Sequence, residues 1–229
     1  MLYDYILHAD LEMVVPIFEA SKPTQFASQR LVSDDEDLAR LALACLYGSN
    51  SLTDWRNMSR IFECLPAWNF NSGEDEEDET DTTVASLSAF LAPSTSRPHT
   101  SPSDLHVFFK PLPARSLSRA LDILDVHLES GEILFRWGVP VPLRWFLQSA
   151  RDEAQQRAWA LKMARQADAP TGDLDSEDIW LSLLEDMLKL ARTGDAITNS
   201  AFGALSADEI RKIFLRGILS TGSKSIRSL

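Results

Sequence analysis

Four histidines, two cysteines and a surplus of carboxylates are the residues through which this 229-residue chain could do chemistry. A histidine metal site on a helix needs ligands that share one face, as in the HExxH pattern. His8, His99, His106 and His127 do not offer that spacing. His99 and His106 stand seven apart, but Pro102 lies between them and forbids one regular helix across both. His127 falls on an apolar helical stretch, with Asp125 and Glu129 close by. It reads as a hydrogen-bonded histidine at a core boundary, with a general base as the alternative. Cys45 and Cys64 are too far apart for a two-residue metal or redox spacing, and both stand among apolar residues, as buried reduced thiols do. No disulfide framework is implied, which favours a reducing compartment.

The remaining signatures of catalysis are missing. No GxSxG elbow positions a serine, and the serine-rich stretches fall in loops. The nine glycines are scattered toward helix ends, and nothing matches GxxxxGK or GxGxxG. Glu185 and Asp186 are adjacent carboxylates of the kind a solvated helix face carries. No catalytic, cofactor-binding or metal-ligating residue is assigned, no cofactor is expected, and the chain reads as a non-enzyme.

Charge narrows the partners. The net charge is −12, and Glu74, Asp75, Glu76, Glu77, Asp78, Glu79 and Asp81 supply seven of those negatives, leaving −5 for the rest. A pI near 4.7 without a basic stripe argues against nucleic acid, whose readers neutralise phosphates. The N-terminus carries Asp4, Asp10 and Glu12 before any Lys or Arg, unlike a signal peptide. The longest uncharged interval, Thr82 to Ser96, is rich in Ser and Thr, so direct membrane insertion is not expected and another protein would bring the chain to a membrane.

The elements that would position these residues are helices. Residues 2–20 read as helix interrupted near Pro16, and Phe26 and Leu31 suit a short one. Asp34 to Asp37 crowd a helix start, where carboxylates meet the positive end of the dipole. Leu38, Leu41, Ala42, Cys45 and Leu46 then form one stripe, and Gly48 is expected to end it in the left-handed conformation. Ser51 or Thr53 should cap a helix through Trp55, Met58, Ile61, Phe62 and Leu65, closed by Pro66. These two helices are expected to form an antiparallel hairpin. From 69 to 83 the chain is nearly devoid of apolar groups and strongly charged, so it should be a disordered acidic loop. Val84, Leu87, Phe90 and Leu91 suggest a short helix. Ser103 with Asp104 should cap another through Phe108 and Phe109.

Leu117, Leu121, Leu124 and Leu128 form the plainest stripe, which Gly131 is expected to stop. A short apolar piece follows (Ile133, Leu134, Phe135, Trp137), and Trp145 and Phe146 begin the next helix beyond Pro140 and Pro142. Ala154, Ala158, Leu161, Met163 and Ala164 mark a further helix, with Trp159 anchoring it against a neighbour. After a loop at 167–176, Ser176 or Asp175 should cap a helix with Ile179, Leu183, Met187 and Leu190 on one face, stopped by Gly194. Ser206 and Glu209 form a capping box ahead of Ile210, Ile213, Phe214, Ile218 and Leu219, a run that Gly222 should end. Trp55, Trp159 and Trp180 fall at packing positions, and Trp68 reads as core or, alternatively, as a partner contact. No alternating strand is found, and the VPVP segment is too proline-broken to sit inside a sheet. The fold class is therefore all-α: one segment over 1–229, read as an α-solenoid of irregular antiparallel helix pairs, with a compact bundle as the competing arrangement.

Three stretches taken together carry a resemblance: DEDLARLALACLYGSNSLTDWRNMSRIFECLPAW (Asp35 to Trp68), RALDILDVHLESGEILFRWGVPVPLRWFLQSA (Arg119 to Ala150) and LLEDMLKLARTGDAITNSAFGALSADEIRKIFLRGILSTG (Leu183 to Gly222). They resemble the fungal solenoid subunit of the Dsl-type endoplasmic-reticulum tethering complex, counterpart of the animal neuroblastoma-amplified-sequence protein. The resemblance implies a cytoplasmic scaffold, peripheral on the endoplasmic reticulum membrane. It would serve retrograde Golgi-to-ER vesicle transport by binding SNARE proteins and other tether subunits, without catalytic residues. Family members are much longer, so the resemblance also implies an internal piece of a longer protein. Two other readings stand beside it. One is an adaptor that docks basic partners through Glu74 to Asp81. The other is a small helical enzyme using His127 or His8 as base, which would need a deep pocket holding a histidine near carboxylates.

Overall fold

The computed structural model describes residues 1–68, 101–166, 177–191 and 200–225, and all the α- and 3-10 elements found there are helical, with no strand among the described residues. The described residues form ten α-helices: α1 (Leu2–His8), α2 (Leu11–Glu19), α3 (Asp35–Gly48), α4 (Trp55–Phe62), α5 (Pro102–Phe109), α6 (Ala114–Arg136), α7 (Arg144–Ser149), α8 (Glu153–Gln166), α9 (Glu177–Leu190) and α10 (Ala207–Ser225). The expected acidic loop at 69–83, the helix at 84–91, the loop at 167–176 with its caps, and the stop at Gly194 lie outside the described residues.

Helix starts follow local chemistry. Asp34 accepts the Asp37 amide at 2.9 Å and so satisfies one of the donors that open α3. Ser206 and Glu209 form the reciprocal box ahead of α10, each side chain accepting the other residue's amide. At α5 the box partner of Asp104 is Ser101, not Ser103, because Pro102 takes the first helical position, where its missing amide costs nothing. Ser51 accepts the amides of Thr53 and Asp54 and shapes the turn before α4, whereas the cap residue is Asp54, without a side-chain bond. The N-terminal helix breaks at Ala9–Asp10, both extended, and Pro16 lies inside α2. The short piece after Pro23 is a 3-10 turn, Ala27–Gln29, with Phe26 and Leu31 left exposed.

The glycines correct the sequence reading most. Gly131 does not stop a helix: α6 runs 23 residues through it. A Cβ there would lie 2.1 Å from the Trp55 ring, so the glycine lets the indole lie against the α6 backbone. The stop comes at Gly138, the one residue with positive φ (69°) among those described, just before Val139 and Pro140. Gly48 is not a left-handed cap either. It is the last residue of α3, and Ser49 beyond it is extended. A Cβ on Gly48 would meet Pro102 Cγ at 2.6 Å, so here too the missing side chain permits a crossing. α10 continues past Gly222 to Ser225.

One continuous apolar core links Ile6 to Phe214. α3 is its axle, buried from Leu38 to Gly48 except at Arg40, and packed by α1, α4, α5 and α6. Small residues at 39, 42 and 44 let these neighbours approach on several sides. α5 lies antiparallel to α3, since Arg40 donates to the Leu112 carbonyl beyond one end while Gly48 faces Pro102 at the other. α4 touches α3, but its fuller contacts are with α2 and α6.

In the second half, Lys189 pairs with Glu129 and Asp186 with Arg136, so α9 runs antiparallel to α6. Arg157 pairs with Glu209 at 2.6 Å, while Gly217 abuts Ala164, so α8 and α10 run parallel. α8 buries Gln156, Ala160, Met163 and Ala164 and exposes Ala154 and Ala158, a rotation from the expected stripe. The buried glutamine accounts for it: its amide donates to Ser149 O at 2.9 Å, and its oxygen accepts the Ala204 amide at 2.9 Å. The all-helical arrangement is compatible with an α-solenoid of irregular helix pairs.

Candidate functional site

The histidines and cysteines do not converge. His127 is 1% exposed, in the core rather than at its boundary, on the face of α6 opposite Asp125 and Glu129. Its Nδ1 lies 2.9 Å from the Tyr47 hydroxyl, and its ring stacks on Phe146 with centroids 5.0 Å apart. Burial pushes the Tyr47 hydroxyl's pKa upward, so it stays protonated beside the imidazole. The trio ties α3, α6 and α7 together. A general base must reach substrate, and this one does not reach solvent.

His8 is exposed and lines a half-open cleft of about 400 Å³ with Asp10, Asp54, Ser49, Cys45 and Pro102. The cleft thus has a histidine, a thiol and carboxylates in its lining. A carbonyl oxygen only accepts, so His8 Nδ1–H donates to Asp4 O at 2.7 Å and the proton is fixed on that nitrogen. The other nitrogen faces the Ser103 hydroxyl at 3.4 Å, so the geometry leaves neither nitrogen open toward the cleft. Cys45 donates its thiol to Ile6 O at 3.2 Å, and burial pushes its pKa up to about 12. A thiol of that basicity holds its proton at neutral pH and is no nucleophile. Cys64 is buried as well, donates to Arg60 O at 3.1 Å, and is shifted upward, chiefly by burial. The cleft holds chemistry-bearing groups in an unactivated arrangement.

His106 packs edge-on to Tyr3, whose hydroxyl donates to Asp37 at 3.1 Å. Burial holds His106 below the ordinary histidine range, with Asp37 opposing and Lys110 and Arg40 reinforcing the shift. His99 lies outside the described residues. Among the described residues no group of three or more His, Cys, Asp or Glu could hold a metal ion, and no helix is long and apolar enough to cross a membrane.

What the polar side chains do instead is fasten helices. Arg144, 7% exposed, donates to the Gly48 carbonyl at 2.7 Å. A cation at the C-terminal end of α3 meets the negative end of its dipole, and burial lowers the Arg144 pKa without dislodging the charge. Trp137 donates its indole N–H to Asp186 at 2.7 Å. Trp159 meets Trp145 edge-to-face, and Trp180 meets Phe214 in the same way, both as helix anchors. Trp68 is half-buried against the core. Sequence reasoning missed Arg144 and Gln156, because a polar residue inside an apolar stripe reads as solvent-facing. An arginine flanked by Leu143 and Trp145 was the available signal.

A family model described as secretory pathway protein Sec39 matches residues 10–226. No solved structure matches the chain.

Proposed function

The chain belongs to the Sec39 family of secretory pathway proteins, and from that premise we propose that it is a non-enzymatic helical scaffold of an endoplasmic-reticulum tether. Its role would be in retrograde Golgi-to-ER transport, where it binds sister tether subunits and SNARE proteins while lying peripherally on the cytoplasmic face of the ER. The family match over 10–226 carries the reading. The unactivated cleft and the buried His127 support it, since the described polar groups serve packing. The decisive experiment is binding of the purified full chain to sister tether subunits and to SNARE N-terminal domains. Retention of either class supports the scaffold. A folded chain, verified by circular dichroism, that retains neither overturns it.

The run from Glu74 to Asp81 favours a second reading, an adaptor for basic partners. It lies outside the described residues. Deleting the run should then abolish capture of a basic partner and leave the helical signal intact; unchanged capture removes the idea.

A further inference from the structure

The cleft beside His8 is where several helix ends meet. α1 stops at His8, the chain runs extended through Ala9 and Asp10, and α2 starts at Leu11. Ser49 closes α3, Asp54 opens α4 and Pro102 opens α5, and all of these line one space of about 400 Å³. Its inner wall is apolar, from Ile6, Leu7 and Leu11, each more than nine-tenths buried. An apolar wall with a few polar groups, at this size, is the make-up of a binding site.

The polar groups set the sign of the ligand. An aspartate at a helix start ordinarily turns its carboxylate onto the first amides, as Asp34 does at α3. Asp10 and Asp54 hold that position at α2 and α4, and neither makes the bond. Among the described residues neither carboxylate enters an ion pair, and the cleft lining includes no Lys or Arg. Each carries a full negative charge against about half a positive charge from the helix start it stands on, so the cleft is net negative. Arg144 approaches Ser49 O at 3.4 Å from within the fold, but its shorter bond is to Gly48 O, where it answers the negative end of α3. Both nitrogens of His8 are turned to Asp4 O and Ser103. Asn50, exposed and outside every described hydrogen bond, adds a free amide to the lining.

An apolar wall beside two uncommitted carboxylates suits a side chain with a hydrocarbon stem and a cationic head. A purely apolar group would leave the carboxylates unanswered, and an anion would be repelled. A small free amine would stay half in water in so open a cleft, whereas a side chain carried on a protein brings further contacts with it. We propose that the cleft receives a Lys or Arg side chain of a partner protein, its stem along Leu7 and Leu11 and its cation at Asp10 and Asp54. The site goes beyond the tether reading and outlives its failure, because it states the chemistry of one contact whichever protein carries it.

The test follows the amide chemical shifts of the isotope-labelled full chain as a blocked Leu-Arg-Leu peptide is added to millimolar concentration. The control peptide carries citrulline, which keeps the shape of arginine without its charge. Shifts are expected around Leu11, Asn50 and Asp54 with the arginine peptide alone, and affinity should fall as salt is raised. Asp10→Asn combined with Asp54→Asn should weaken binding roughly tenfold, from two partly exposed pairs lost together. Asparagine caps helices as well as aspartate, so this variant should stay folded, with thermal unfolding as the check. Deleting Glu74 to Asp81 should leave the shifts in place, which separates the cleft from the acidic run. Absent shifts, equal shifts with citrulline, unaltered affinity in the double variant, or loss of the shifts with the acidic run overturns the proposal. Displacement of the peptide by spermidine at lower concentration does so too, since it would assign the cleft to a free polyamine.

Discussion

Replacing Gly131 with alanine sets two known effects against each other. In an exposed helix interior the change stabilises by about 1 kcal/mol, because glycine is the poorer helix former. Here the new methyl carbon would sit 2.1 Å from Trp55, inside any allowed contact distance. The indole has little room to retreat: Trp55 is 3% exposed, and its N–H donates to Leu52 O at 3.1 Å. Overpacking of this kind costs about 1–3 kcal/mol or more, and that term should outweigh propensity, leaving Gly131→Ala net destabilised. Trp55→Ala alone should cost about 3–5 kcal/mol through the cavity it opens. In that background the clash is gone, and Gly131→Ala should become stabilising by about 1 kcal/mol. Urea unfolding of the four proteins, followed by far-UV circular dichroism, closes the cycle, with an expected coupling equal to the overpacking cost, about 1–3 kcal/mol or more. If Gly131→Ala stabilises the parent by the plain propensity amount, Trp55 does not lie against α6 and the packing described for it is wrong.

Other perturbations address other joints. Leu124→Ala should cost about 2–5 kcal/mol, since Leu124 is fully buried on α6; an unchanged melting curve would place its stripe in water. Arg144→Ala should destabilise by about 1–3 kcal/mol, because the Gly48 carbonyl loses its donor, and urea midpoints should show no loss if that bond does not form. Cys45 should resist iodoacetamide at mildly alkaline pH in the folded chain and react after unfolding, as peptide mass mapping can show. His106 binds its proton more weakly folded than unfolded. Its contribution to stability should therefore decline as pH falls below the ordinary histidine value, levelling off once the folded-state value is passed. Comparing the pH dependence of the urea midpoint with that of His106→Gln isolates this contribution; identical slopes would remove the histidine from it.

The helices were legible because leucine spacing carries them: the stripes at 38–46, 117–128 and 183–190 are buried as the periodicity requires. Caps were legible where a short polar side chain stands next to its helix, as at Asp34 and Ser206. Glycine was misread, since its sequence context is the same whether it frees φ or makes room for a neighbour. Gly131 and Gly48 do the second, and only tertiary contact distinguishes the two. The same blindness hid Arg144 and Gln156, whose partners are carbonyls and amides at helix ends, groups that every residue carries and no pattern reveals. His127 was recognised as a packing histidine, but its depth follows from Tyr47 and Phe146, which stand 80 positions before it and, in α7, just beyond α6.

The length of α6 has a consequence for how the chain can be divided. This rod holds Trp55 against its backbone, receives Tyr47 at His127, and offers Glu129 and Arg136 to α9. Arg144, just past its end, reaches back to the last turn of α3. Elements before it and after it in the sequence thus lean on a common beam, and a cut in the loops beside it is expected to cost both sides their contacts. A fragment ending at Arg136 would strip the imidazole of its stacked phenyl ring and leave the α3 carbonyl without its cation. Trimming toward a minimal unit should therefore yield insoluble or half-molten pieces long before it isolates an autonomous module.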